Sequence, residues 1–176
     1  MSIISVSKLN AYLNNYESGT DITAVKQNCI DAAEAIVESY VGYNPISHTI
    51  DAEYHKTTGH PYLYQDVCHI TVITEVLQNG EDITDSCSIR KDAIFSSKFK
   101  KNGEIRIKYT AGWESTALPP IFENTILRIA SLMFAETNGS IGLTSRTSPD
   151  GSKTYISYSN YSKYLAPLDN FRRIQL

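Results

Sequence analysis

Residues Glu104–Gly139 read EIRIKYTAGW, ESTALPP and IFENTILRIASLMFAETNG in succession. In the first piece Ile105, Ile107 and Tyr109 alternate with Arg106 and Lys108, the period of a strand with one apolar face. Ala111-Gly112-Trp113 breaks that pattern. Pro119 and Pro120 fit the first turn of a helix, where a missing N–H costs nothing. In the helix that follows, Phe122, Ile126, Ile129, Ala130 and Met133 share one face, which Ile121, Leu127, Leu132 and Phe134 widen. A helix apolar over so much of its girth belongs at the centre of a helical core or against another subunit. Asn138-Gly139 supplies its end.

Working back from this stretch, helical spacing predicts a short first helix over 7–16, with Ser5 or Ser7 as cap and Leu9, Tyr12, Leu13 and Tyr16 on one side. A longer helix over 20–41 carries Ile22, Val25, Cys29, Ala32, Ala33, Ile36, Val37 and Tyr40, and Gly42 and Pro45 stop it. From about residue 50 to 109 the signals turn to strands: 50–54, 62–64, 70–77, 81–84 and 104–109. Ile70–Leu77 is apolar in both alternating sets, which predicts burial on two sides. Asn79-Gly80 and Asn102-Gly103 are hairpin signals, because a type I′ turn needs positive φ at both central positions. The expected fold is α+β. Its helical core comprises two N-terminal helices and a central amphipathic helix over 119–138, with a small antiparallel sheet inserted at about 50–109. One domain covers 1–139. Residues 140–176 form a hairpin around Asp150-Gly151, a returning strand over 154–158, and an extended tail that Pro167 carries to Phe171-Arg172-Arg173-Ile174.

The 176 residues suffice for one core without disulfides or metal, and the three cysteines, Cys29, Cys68 and Cys87, cannot all pair with one another. A net charge of -3 argues against a dedicated nucleic-acid binder. No apolar h-region follows Met1 and no run approaches the roughly 20 residues of a membrane span, so the expectation is a cytoplasmic chain with no membrane partner. Twelve tyrosines favour protein contacts, since Tyr offers an apolar body and a polar tip.

Catalytic chemistry finds no foothold. There is no G-x-S-x-G elbow, no Walker A or dinucleotide glycine pattern, and no carboxylate couple, so neither an enzyme nor a cofactor is expected. His48, His55, His60 and His69, with Asp66 and Cys68, are the one metal-like grouping. Cys68 and His69 are adjacent, pointing to opposite faces of a strand, and the other spacings fit no zinc unit. These residues read better as ordinary strand histidines, and no metal is expected. The basic run Arg90, Lys91, Lys98, Lys100, Lys101, Arg106 and Lys108 faces an acidic set of Asp66, Glu75, Glu81, Asp82 and Asp85. Mutual neutralisation on charged strand edges explains both, and contact with nucleic acid or between copies in a ring are the alternatives.

The order of these pieces carries a resemblance. A long helix ends in Tyr40-Val41-Gly42-Tyr43, a β insertion follows, and then Ile105–Trp113 leads through Pro119-Pro120 into a helix and a Ser/Gly-rich tail closing at Leu165–Arg173. This resembles the head–tail connector (adaptor) proteins of long-tailed bacteriophages and prophages. The resemblance implies a structural virion protein of the neck, assembled in the bacterial host cytoplasm, with no reaction and no cofactor. Its partners would be itself, in a ring of about a dozen copies, the portal protein, and a head-closure or tail-completion protein. DNA would only pass through the channel. It also implies interface roles for Val25, Cys29, Ile36, Tyr40, Trp113, Phe171, Arg172 and Arg173. The alternatives are another neck component, of the head-closure or tail-completion kind, and a small histidine-based metal-binding domain.

Overall fold

The structure is a computed structural model and describes residues 3–14, 19–137, 145–148, 151–154 and 161–172. The fold is α+β. The described residues divide into two compact units, one drawn from 1–41 and 119–172, the other from 42–118.

The first unit is helical. Helix α1 spans Val6–Leu13, where Ser5 Oγ accepts the Lys8 N–H at 3.2 Å and Asn14, at φ 51°, closes the end in the left-handed conformation that Asn tolerates. The helix therefore stops three residues short of the predicted end. Helix α2 spans Thr20–Val41 and buries Lys26, Cys29, Ile30, Ala33, Val37 and Val41. Its Glu34 reaches back to the chain start, Oε1 accepting the N–H groups of Ile3 at 2.7 Å and Ile4 at 2.9 Å. Helix α3 spans Pro120–Thr137 and buries Phe122, Thr125, Ile126, Leu127, Ile129, Ala130, Met133 and Phe134, the wide girth its sequence predicts. Each of the large apolar side chains among them contributes roughly 1.5–3 kcal/mol on burial.

Strands β8 (Ser145–Ser148) and β9 (Gly151–Thr154) pair antiparallel up to Ser148 opposite Gly151, the hairpin predicted around Asp150-Gly151. Residues 138–139 and the predicted strand beyond 154 lie outside the described residues. Within the segment predicted as a tail, helix α4 (Ser162–Leu165) and a 3₁₀ turn (Ala166–Phe171) bury Tyr161, Leu165 and Leu168. Spacings of four and three residues place these three on one helical face, which is why this part packs.

The second unit carries two antiparallel sheets. Strands β1 (His48–Lys56), β3 (Ile70–Gln78), β4 (Glu81–Asp82) and β7 (Glu104–Ala111) form the larger, in the order β1-β7-β3-β4. Strands β2 (Tyr62–Tyr64), β5 (Ser88–Arg90) and β6 (Ala93–Phe95) form the smaller, in the order β2-β6-β5. The central strand β7 shows strict alternation, with Ile105, Ile107, Tyr109 and Ala111 inward. Those four join Leu63, Ile70, Val76, Ile83, Ile94 and Phe99 in one core.

Three expectations are corrected here. Strand β3 is not buried on both faces: Val72 is 53% exposed, and register shifts between Ile70 and Val72 and between Ile73 and Glu75 interrupt its alternation. Asn79-Gly80 does make the β3–β4 turn, with φ of 51° and 83°, but Asn102-Gly103 makes no hairpin. Only Asn102 has positive φ; its N–H goes to Thr57 O at 2.8 Å, and Gly103 O accepts from Thr57 N at 2.9 Å. The sheet is also not a run of hairpins, because β7 pairs β1 across some fifty residues of chain. Strands β5 and β6, three residues each about a Lys91-Asp92 turn, are too short to leave a periodic signal.

Candidate functional site

Strand β1 enters its pairing with β7 in register at Ile50–Tyr109 and resumes at Glu53–Ile107, a bulge that turns Glu53 into the interior. There the carboxylate is held from three sides. Tyr109 Oη donates to Glu53 Oε2, His55 Nε2 meets Oε1, and the Asp66 backbone N–H donates to Oε1 at 3.0 Å. Burial alone would raise the carboxyl pKa, but the bonds from His55, Tyr109 and Asp66 outweigh it and hold Glu53 below its ordinary value. An ionised carboxylate only accepts, so His55 Nε2 carries the hydrogen. Burial, then the Glu53 hydrogen bond, pushes the Tyr109 phenol far above its usual range. Acceptor and donors are mutually satisfied, which makes this cluster a buried polar clamp between β1, β7 and the loop at Asp66.

The other histidines scatter. His69, at φ 61°, stacks on Trp113 with ring centroids 4.6 Å apart and planes at 7°. His48 Nδ1 lies 2.8 Å from Ile46 O, and His60 packs at 5.8 Å on Tyr62. Among the described residues no group of three or more His, Cys, Asp and Glu side chains could hold a metal ion. No helix of the described residues is long and apolar enough to cross a membrane.

The residues predicted to form interfaces fall into three places. On α2, Cys29 is buried within the helical unit, whereas Val25, Ile36 and Tyr40 remain half-exposed. At the end of α2, Tyr40 meets the C-terminal segment: its Oη donates to Asp169 Oδ1 at 2.5 Å, and the Arg172 guanidinium sits 4.8 Å over its ring. The Asp169 bond is the main reason the Tyr40 phenol titrates above its usual value. Phe171 meets Phe122 edge-on at 5.0 Å. Tyr40, Phe171 and Arg172, more than 130 positions apart in part, thus belong to one patch of the helical unit. Asp169, which carries no motif in the sequence, links Tyr40 to Arg172. Arg173 lies outside the described residues.

Trp113 sits apart, in the second unit. Its N–H donates to Pro45 O at 2.8 Å, its carbonyl accepts from Ser47 N at 2.9 Å, and a parallel bridge joins it to Ile46. Gly112 beside it has φ 97°, and a Cβ there would stand 2.7 Å from the Ile46 carbonyl carbon and oxygen. Only glycine fits that close approach.

A chain in the neck of the empty gene transfer agent (GTA) particle, computed with C6 symmetry, superposes with a TM-score of 0.61 at 13% identity, covering 99% of this chain and 91% of that one. This chain shares that fold. A chain of the native GTA virion gives 0.61 at 12% identity, over 99% and 91% of the two chains. A chain in the neck of the native GTA particle, computed with C12 symmetry, gives 0.59 at 11% identity, over 97% and 89%. No protein-family model matches the sequence and no curated protein matches it by sequence.

Proposed function

We propose that this chain is a structural, non-enzymatic component of the neck of a phage-like particle, and more narrowly the adaptor that rings the underside of the portal and joins capsid to tail. The observation that carries the reading is the near-full-length fold likeness to chains of GTA necks. The neck computed with C12 symmetry supports a ring of about a dozen copies. The two long helices, α2 and α3, favour an adaptor over a mainly-β head-closure or tail-completion protein. In this role the half-exposed Val25 and Ile36 of α2 face a neighbouring copy, and the patch of Tyr40, Phe171 and Arg172 faces the portal or the next neck protein. DNA passes through the channel without sequence readout.

The test is mass measurement and negative-stain imaging of the purified protein, alone and with its portal. Rings, formed alone or only on the portal, support the adaptor. A strict monomer with no affinity for portal at high concentration refutes it, and binding only to an assembled adaptor ring reassigns the chain to a later neck component.

A further inference from the structure

The basic run does not behave as one surface. Lys108 pairs with Asp51 at 2.9 Å, Arg106 with Glu75 at 3.4 Å and Lys100 with Glu81 at 3.6 Å, so that part neutralises itself on the larger sheet. Arg90 and Lys91, exposed at the β5–β6 turn, take part in none of the ion pairs found among the described residues. Arg90 instead lies 4.0 Å over the Phe95 ring, and Phe95 packs at 5.1 Å on Tyr62, its cross-strand partner. Two residues along β2, Tyr64 projects on the same side and is 61% exposed. The outer face of the smaller sheet is therefore a row of aromatic rings edged by two uncompensated cations. Tyrosine and arginine are the residues that dominate binding energy at protein interfaces.

A face of opposite character exists on α2. Ala24, Asp31, Ala35 and Glu38, at spacings of seven, four and three, share one exposed side, away from the buried Ile30, Ala33 and Val37. Asp31 accepts the local Gln27 amide at 2.7 Å, and neither Asp31 nor Glu38 enters an ion pair among the described residues. The last turn of α2 has no basic residue. Carboxylates near a helix C-terminus oppose the macrodipole, so an external cation would stabilise this end.

We infer that these two faces meet between copies: the aromatic and cationic face of the β2-β6-β5 sheet receives the acidic, alanine-lined face of α2 from the next copy. The small Ala24 and Ala35 let the helix backbone come close to the rings. The planar Arg90 fork can bind a carboxylate bidentately while its face stays on Phe95. Two different complementary patches on one chain allow a head-to-tail contact, which closes into a ring if the rotation closes. The inference rests on the ring reading and assigns its contact surfaces.

Two charge-reversed variants test it, Arg90→Glu with Lys91→Glu and Asp31→Lys with Glu38→Lys, together with the variant carrying all four changes. All sites are exposed, and circular dichroism checks that each folds. Self-association is followed by sedimentation velocity and native mass, with portal present if the wild type needs it. Each double variant is expected to weaken ring formation by about tenfold or more at low salt, since like charges now face each other. The fourfold variant restores it. Unchanged rings in either double variant overturn the inference while leaving the ring reading intact, as does failure of the fourfold variant to recover. Intact rings that no longer bind portal reassign the aromatic face to the portal and refute the second copy as its occupant. A wild type that forms no ring with or without portal removes both readings.

Discussion

Replacing Glu53 by Gln keeps the shape of the clamp and removes its charge. In the native protein one carboxylate accepts from Tyr109 Oη, His55 Nε2 and the Asp66 N–H. Gln offers one acceptor and confronts the remaining donor with its own NH₂. Two bonds then fall from the charged to the neutral class, a loss of about 1 kcal/mol each, and one donor is left unsatisfied at about 2 kcal/mol. Relief from burying a charge offsets about half of this, leaving a net destabilisation of about 2 kcal/mol. With a urea m-value of about 1.5 kcal/mol/M, the midpoint falls by roughly 1.3 M. Trp113, the single tryptophan, lies in the same unit as the clamp and reports its unfolding by fluorescence. The pH dependence has a definite sign. Because the folded-state pKa of Glu53 lies below the ordinary 4.5, its contribution is fully present above that value and is lost as pH falls through the folded-state value. The gap between wild type and variant is therefore widest at neutral pH and closes on acidification below 4.5. A midpoint unchanged at pH 7, or a gap that stays constant into acid, refutes the clamp.

Gly112→Ala should destabilise the β unit by about 2–4 kcal/mol, since positive φ is compounded by a backbone clash, whereas Gly80→Ala, with open space around it, should cost about 1 kcal/mol; urea unfolding followed at Trp113 separates the two. Leu168→Ala should cost the helical unit about 2–5 kcal/mol, because Leu168 is fully buried, and the 222 nm ellipticity midpoint measures it. Lys26, equally buried, places its Nζ 2.6 Å from Asn10 Oδ1 and 5.2 Å from the Phe134 ring centre. Asn10→Ala should lower stability by about 1.5–3 kcal/mol by taking an acceptor from a buried ammonium. Lys26→Met should be nearly neutral or stabilising, since it removes the charge along with its burial; thermal melts of the two variants give the comparison.

What the sequence revealed and what it hid follow one physical division. Helix α3 and strand β7 were legible because each buries a regular set of side chains, and period alone identifies such an element. The sequence predicts strand β1 only over 50–54, because the bulge before Glu53 breaks its alternation, and that same bulge conceals the inward turn of Glu53. Nothing in the local sequence says that Tyr109, 56 positions away, will donate to it. The signal that could have raised suspicion was Tyr109 itself, a phenol on the apolar side of a central strand, which must find a partner when buried. Likewise Tyr40 and Arg172 could each be singled out, but Asp169, which joins them, sits in a segment with weak helical period.

The distribution of satisfied and unsatisfied charge argues for a role on the outside of the molecule. Inside, Glu53 has three donors and Lys26 has an acceptor and a ring, so the buried ions are tied to fixed partners. Buried groups of this kind perturb pKa values, yet they offer no open position to a substrate, and their geometry is spent on fixing strand register and helix packing. Outside, Arg90, Lys91, Asp31 and Glu38 enter no ion pair among the described residues. Solvent would tolerate any one of them singly. Their grouping by sign, beside aromatic rings in one case and alanines in the other, is what a contact between copies requires, because each face then rejects its own kind and accepts the other. Pairing either face with its own copy would bring like charges together, so neither face is suited to bind itself.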